Sequence, residues 1–324
     1  MQSKTIGPFT FFDAAPTPVS FREQVLASLA ASPKWLASKF FYDRTGSRLF
    51  EEICDLDEYY PTRAELSILR ASIKEMAAGL GDRPLLVELG SGSGLKTKLL
   101  LAALKDPAAY VPVDIARDEL LAQCAQLSDV LPALELLPVC TDYTQPFQLP
   151  LARRRTPNVC FYFPGSTIGN LEPPEAIGLL RHLRRLADGP CKLLLGVDLK
   201  KDPIRLQAAY DDARGITAAF NLNLLVRINR ELGGDFALDR FHHQAFYNAA
   251  AGRIEMHLTS TLAQTAHING HTFEFAEGET IRTEHSYKYL VPEIASLAQQ
   301  AGFEVGQSWM DSQKLFAVLL LHAQ

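Results

Sequence analysis

Between residues 85 and 198 short apolar runs alternate with stretches of helical period, and few folds tolerate that pattern. Leu85-Leu86-Val87-Glu88-Leu89 is a strand that runs into a glycine loop, and the spacing predicts a helix over Lys96–Leu104 and a strand over Tyr110–Asp114. A helix at about Glu119–Ser128, strands at Leu134–Cys140 and Asn158–Phe163, a helix at Pro174–Ala187 and a strand at Lys192–Asp198 continue the series. Buried parallel strands separated by helices specify an α/β fold with a doubly wound, Rossmann-like sheet that binds ligands at the carboxyl ends of its strands. Upstream, helical spacing runs from Val19 to Leu36 and from Ala64 to Leu80, where Gly81-Asp82-Arg83-Pro84 stops it. The aromatic and acidic stretch between them, residues 40–61, suits a cap or lid.

From about residue 200 the alternation fails. Helices at Pro203–Tyr210 and Thr217–Leu232, then strand-like stretches at Arg253–Gln264 and His271–Phe275, read as an insertion that builds a second, α+β domain. A helix at Val291–Ala301, Gly302-Phe303-Glu304-Val305 and a strand at Lys314–His322 return to the sheet and give it an antiparallel edge hairpin. The expected division is 62–200 with 287–324 for the nucleotide-type domain, and 1–61 with 201–286 for the other.

Composition narrows the function. With 32 Lys and Arg against 37 Asp and Glu the net charge is −5, which argues against a nucleic-acid protein relying on a basic surface. The 47% hydrophobic and 21% charged residues are those of a soluble globular chain. No run approaches the roughly 18 apolar residues of a membrane span, and the N-terminus lacks a signal-peptide pattern, so a cytoplasmic protein without a membrane partner is expected. Five widely spaced cysteines without a C-x-x-C pair point to neither a disulfide framework nor a zinc site.

The loop Glu88-Leu89-Gly90-Ser91-Gly92-Ser93-Gly94 lets a nucleotide-like ligand approach the backbone at the start of a helix. Its G-x-G-x-G spacing, with Leu95 where a dinucleotide fingerprint has its third glycine, counts against a nicotinamide cofactor. Asp114 ends the next strand, 24 residues after Gly90, where a carboxylate accepts from two ribose hydroxyls. Asp142 is placed to take an adenine amino group, with the Tyr143 ring beside it. A first-strand glutamate, this loop and two strand-end acids together resemble the class I S-adenosylmethionine methyltransferases, whose sulfonium ligand has no pyrophosphate to cradle. Lys96 is a candidate for the cofactor's carboxylate, its plainer reading being an exposed helix lysine.

Longer segments resemble one family closely, the histidine-specific methyltransferases of ergothioneine biosynthesis, which trimethylate the α-amine of L-histidine to hercynine. The resemblance covers nearly the whole chain. It rests on Phe41-Tyr42-Asp43 with Gly46-Ser47, Glu58-Tyr59-Tyr60-Pro61-Thr62-Arg63, Leu89-Gly90-Ser91-Gly92 with Lys96-Thr97, and Gly165-Ser166-Thr167-Ile168-Gly169-Asn170-Leu171. Further marks are Ala209-Tyr210-Asp211-Asp212, Phe220-Asn221, Asn229-Arg230-Glu231-Leu232, Ile254-Glu255-Met256, and Thr283-Glu284 with Ser286 and Lys288.

The resemblance implies that Asn170 and Tyr210, with Gly165, hold the carboxylate and amine end of the substrate. It places Tyr42 and Tyr59 as the catalytic pair at the reacting nitrogen, Tyr59 also touching S-adenosylmethionine, and aromatic faces suit an amine that becomes quaternary. Glu284 would accept from one imidazole nitrogen, Ser286 would pair with the other, and Met256 would line the ring pocket. Gly90, Ser91, Gly92, Lys96, Asp114, Asp142 and Tyr143 fall to the cofactor, with S-adenosylhomocysteine as product. Gly94 and Tyr143 depart from what some family members carry, on the cofactor side only. Methyl transfer to a neutral amine needs no metal, and His242-His243 has no third ligand at H-x-x-x-H spacing. Arg153-Arg154-Arg155 reads as a solvated turn and Asp211-Asp212 as caps or surface acids. A monomer acting on a small molecule is expected. The competing readings are a relative that methylates tryptophan or another amino acid, and a sensor that binds the cofactor without turnover.

Overall fold

The computed structural model describes residues 2–13, 21–92, 94–156 and 158–324. The sequence readings at Val19, Ser93 and Pro157 lie outside them. These residues divide into two compact units, one of 2–13, Pro61–Lys200 and Tyr289–Gln324, the other of 21–60 and Lys201–Lys288. Residues 2–13 thus belong with the first unit, whereas the sequence reading grouped 1–61 together. The reason is a polar-apolar hairpin, Gln2–Ile6 against Phe9–Asp13, that extends the main sheet through Phe12 and Asp13 beside Val139 and Cys140.

The first unit is built on a nine-stranded sheet in the order Gln2–Ile6, Phe9–Asp13, Val139–Cys140, Ala109–Asp114, Pro84–Leu89, Asn158–Phe163, Cys191–Asp198, Phe316–Ala323 and Phe303–Met310. The six inner strands from Phe9–Asp13 to Cys191–Asp198 run parallel, and the C-terminal hairpin adds its two strands antiparallel. Pro84–Leu89 is buried at every residue, which a strand covered by helices on both faces requires. The helices Leu95–Ala103, Arg117–Val130 and Pro173–Leu186 make the crossovers. The strand expected over Leu134–Cys140 shrinks to Val139–Cys140, because Pro138 has no N–H to give the ladder and Leu136 makes only an isolated bridge to Tyr110. The helix expected from Ala64 begins at Tyr60, since Pro61 in a first turn forfeits no hydrogen bond.

Chain order along the sheet reverses between Pro84–Leu89 and Asn158–Phe163. Successive strands step away from Pro84–Leu89 on one side, and the chain then returns to add Asn158–Phe163 and Cys191–Asp198 on the other. The loops leaving these two central strands, Gly90–Gly94 and residues 164–170, therefore emerge next to one another at the switch point, the expected seat of a ligand.

In the second unit a four-stranded sheet runs Lys34–Trp35, Thr280–Tyr287, Arg253–Ser260 and Phe241–Asn248, with a separate hairpin of Gln264–Ile268 and His271–Phe275. The stretch read as one strand over Arg253–Gln264 is two strands broken by a bend after Ser260. Thr280–Tyr287 and Phe241–Asn248 were not anticipated, their sequences being too polar to alternate cleanly. Helix Ile216–Leu232 packs on this sheet, and Asp212 caps it by accepting from the N–H groups of Ile216 at 3.0 Å and Thr217 at 2.7 Å. No helix among the described residues is long and apolar enough to cross a membrane.

Candidate active site

The glycine loop of the first unit turns through Gly90, Gly92 and Gly94 at φ of 70°, 49° and 70°, a region that a side chain disfavours. Asp114 lies against this loop. Its Oδ1 accepts from Ala116 N at 3.0 Å, and burial raises its pKa although the N–H groups of Ile115, Ser91 and Gly92 oppose the rise. On the other flank the Tyr143 ring comes within 4.0 Å of where a Gly90 Cβ would stand, and meets Phe163 edge-on at 5.6 Å. Burial, with the charges of Asp114 and Asp142, holds the Tyr143 phenol above its ordinary value. Asp142 folds its Oδ1 back onto Thr144, N at 3.0 Å and Oγ1 at 2.5 Å. A carboxylate and a flat aromatic ring thus bracket a bare backbone turn, a fit for the ribose and purine of a nucleoside.

Glu88, in the preceding strand, serves the frame. Its carboxylate accepts from Thr97 Oγ1 at 2.8 and 2.7 Å and from the Tyr110 hydroxyl, and burial still pushes its pKa up to about 8. Lys96, which the sequence aims at the cofactor's carboxylate, is ion-paired to Glu65, whose side chain is 0% exposed. The same Glu65 carboxylate accepts from Gly165 N at 3.0 Å. Glu65 was missed by the sequence reading; its only signal is its place in the helix beginning at Tyr60, 31 residues from its partner. Neutralisation of Lys96 leaves the loop without net positive charge. Gly165 and Ser166 turn at φ of 75° and 59°, Ser166 Oγ accepting from Asp198 N at 2.9 Å, and Asn170 closes the following short 3-10 helix, half-buried.

In the second unit the aromatic residues expected at the amine do gather. Tyr59 lies edge-on to Tyr210 at 6.2 Å and to Phe50 at 6.1 Å. Tyr42 meets Phe50 at 5.7 Å and Phe220 at 6.0 Å, and Phe41 stacks on Phe220 at 4.3 Å. Tyr42 is held through its neighbour Asp43, which caps helix Arg44–Cys54 at Gly46 N (2.7 Å) and binds Asn223 (2.8 Å) and Arg230 (2.6 Å). Burial, then Tyr210 and other nearby groups including Glu284, hold the Tyr59 phenol well above its usual range, so it remains protonated at neutral pH.

Glu284, Ser286 and Met256 come together through a defect in the sheet. Met256 pairs with Glu284 and Leu258 with Ile281, so the strand Thr280–Tyr287 carries one extra residue between them. That β-bulge places Ile281 and Glu284, three positions apart, on one face. Thr283, 0% exposed, donates to Met256 O at 3.1 Å and pins it. Ser286 follows Glu284 on the same face, with Ile254 opposite. Burial pushes the Glu284 carboxyl up to about 7 while Lys288 pulls it down.

Ser286 Oγ accepts from the Tyr210 hydroxyl at 3.0 Å. The resemblance assigns Tyr210 to the carboxylate and amine end of the substrate; here its hydroxyl donates to Ser286. The main chain of Tyr210 is fixed by His243, whose Nε2 meets Tyr210 O at 2.8 Å while Nδ1 meets Asn221 Nδ2 at 2.8 Å. A carbonyl only accepts, so His243 is the neutral Nε2–H tautomer, and burial lowers its pKa accordingly. His243 and Lys288, 1% exposed, thus serve this cluster in roles the sequence did not assign.

A model of the family described as "Histidine-specific methyltransferase, SAM-dependent" matches residues 21–323. The chain belongs to this family. The histidine N-alpha-methyltransferase of Mycolicibacterium smegmatis is 40% identical over 307 residues, covering 93% of this chain and 94% of that protein. The enzyme of the same name from Mycobacterium tuberculosis is 39% identical with the same coverage, 93% and 94%. Ergothioneine biosynthesis protein 1 of Neurospora crassa is 30% identical across 86% of this chain, which spans 32% of that longer protein. This histidine-specific methyltransferase is therefore an S-adenosylmethionine-dependent enzyme with an α/β fold.

Proposed function

We propose that the enzyme methylates the α-amine of L-histidine three times, giving hercynine, with its substrate gripped at the ring by Glu284 and Ser286. The observation that carries this reading is the polar pair on one strand face with Met256 opposite, framed by Tyr59 and Tyr210. A carboxylate beside a hydroxyl, both largely withdrawn from water, rejects side chains that cannot complete their hydrogen bonds. Asn170 and Gly165 hold the α-carboxylate, since an amide both donates and accepts.

S-adenosylmethionine, when bound, supplies a methyl group activated by the sulfonium. Gly90, Ser91 and Gly92 take its backbone-facing side, Asp114 the ribose, and Asp142 and Tyr143 the adenine. The protein's task is then to present an uncharged amine. The α-amino groups of model peptides titrate at about 7.7–8.0, and transfer into a pocket of aromatic faces disfavours the ammonium form. Tyr59 and Tyr42 surround the nitrogen, and the Tyr210 oxygen, having given its proton to Ser286, accepts an amine N–H. The same faces favour the quaternary product. In-line displacement needs no covalent enzyme intermediate, so positioning and desolvation carry the rate.

Mass spectrometry of purified enzyme with S-adenosylmethionine and each of the twenty amino acids tests this directly. A gain of three methyl groups on histidine alone is expected. Methylation of tryptophan or another amino acid would overturn the ring assignment, and binding without any S-adenosylhomocysteine release would favour the sensor.

A further inference from the structure

Lys288 donates to the Tyr210 hydroxyl at 2.8 Å and to Ser286 Oγ at 2.9 Å, from a position 1% exposed. An ammonium has three protons and no lone pair, so at both contacts the oxygen must accept. Tyr210 gives its own proton to Ser286. The Ser286 oxygen therefore receives two hydrogen bonds, its full accepting capacity, while its own proton goes to no described residue. A hydroxyl that would ordinarily serve either way is reduced to a donor. Glu284, once ionised, only accepts.

We propose that Lys288 fixes the hydrogen-bond polarity of the ring subsite, so that the substrate imidazole is held as one neutral tautomer, its N–H toward Glu284 and its bare nitrogen toward Ser286. This rests on the assignment of Glu284 and Ser286 to the ring. An imidazolium would set a proton against the Ser286 proton, and the opposite tautomer would mismatch both ends at once. An indole satisfies Glu284 but has no bare nitrogen for Ser286. Each mismatch strands buried polar groups, which is where strong discrimination originates. Lys288 is thus a positioning residue that selects the substrate through two hydroxyls.

The test is 15N NMR of histidine labelled at both ring nitrogens, bound to the enzyme with S-adenosylhomocysteine. Wild type should show one protonated and one bare nitrogen as separate resonances from about pH 7.5 to about 8.5, above the value of about 7 to which burial pushes Glu284, whereas free imidazole there exchanges between its two neutral tautomers. Lys288→Met returns a lone pair to Ser286, so the two resonances should move toward their average. KM for histidine should then rise roughly 10- to 100-fold, as expected for loss of a charged hydrogen bond, with a smaller change in kcat. Lys288→Arg, which keeps a cationic donor, should restore much of the tautomer preference, and with the wild-type spectrum it decides the matter if Lys288→Met does not fold. Bound imidazolium in wild type, or an unchanged single tautomer in Lys288→Met, would overturn the proposal. Failure of wild type to bind histidine at all would instead refute the underlying ring assignment.

Discussion

Removing the Glu65 carboxylate should cost the first unit more than any surface change, because Lys96 and the Gly165 N–H both depend on it. Unit charges about 4 Å apart attract by about 4 kcal/mol at an effective dielectric of 20. The Lys96 side chain is 19% exposed, so water recovers part of that in Glu65→Ala, leaving a loss of about 2 kcal/mol. Stranding the Gly165 N–H adds about 1 kcal/mol. A total near 3 kcal/mol should lower the melting temperature of this unit by about 6–12 °C. Glu65→Gln, which keeps an acceptor for Gly165 but not the charge, should fall between. Scanning calorimetry of Glu65→Ala, Lys96→Met and the double variant is the assay, followed through the transition that S-adenosylhomocysteine shifts. The double variant should cost about as much as Glu65→Ala alone, a non-additivity of about 2 kcal/mol. Strict additivity, or a Glu65→Ala change within about 0.5 kcal/mol of wild type, would refute the argument. The same carboxylate can be displaced sterically: a Cβ on Gly196 would stand 2.5 Å from Glu65 Oε1 and 3.1 Å from Phe316 Cε1, so Gly196→Ala should raise KM for histidine through Gly165.

Glu88, raised from 4.5 to about 8 by burial, holds its proton more tightly when folded. It therefore contributes stability that is full below the unfolded value and lost as pH rises through the folded one; urea unfolding should show the first unit weakening between pH 4.5 and about 8, and Glu88→Gln should flatten that slope. Asp43→Ala removes a helix cap and an anchor for Asn223 and Arg230, and should cost about 2 kcal/mol in urea unfolding. Because Tyr42 is its neighbour, KM for histidine should rise in the same variant.

The parallel sheet was legible because its central strands are apolar at nearly every residue and end in a glycine loop or an acid. The hairpin at the N-terminal edge was not, since Gln2–Ile6 is short and polar and gains its place only from Phe9–Asp13. Pro138 shortened a strand that hydrophobicity alone extends. At the site, residue types were readable and their bonds were not. Tyr210 and Ser286 are 76 residues apart, and nothing local announces that one gives its proton to the other. The Lys96 charge looked available because its partner lies in a different helix. Sequence specifies chemical capacity; the fold decides how much of that capacity is already committed.

The extra residue at Thr283 makes the face proposed to hold the ring a matter of parity. Plain alternation from Ile281 would put Glu284, three positions on, on the far face; the unpaired Thr283 takes up the odd residue and returns Glu284 and Ser286 to the face of Ile281. A relative lacking this one residue would reach the same row by plain alternation, so a gap at Thr283 marks the loss of a bulge and not a change in the residues that share the face of Met256.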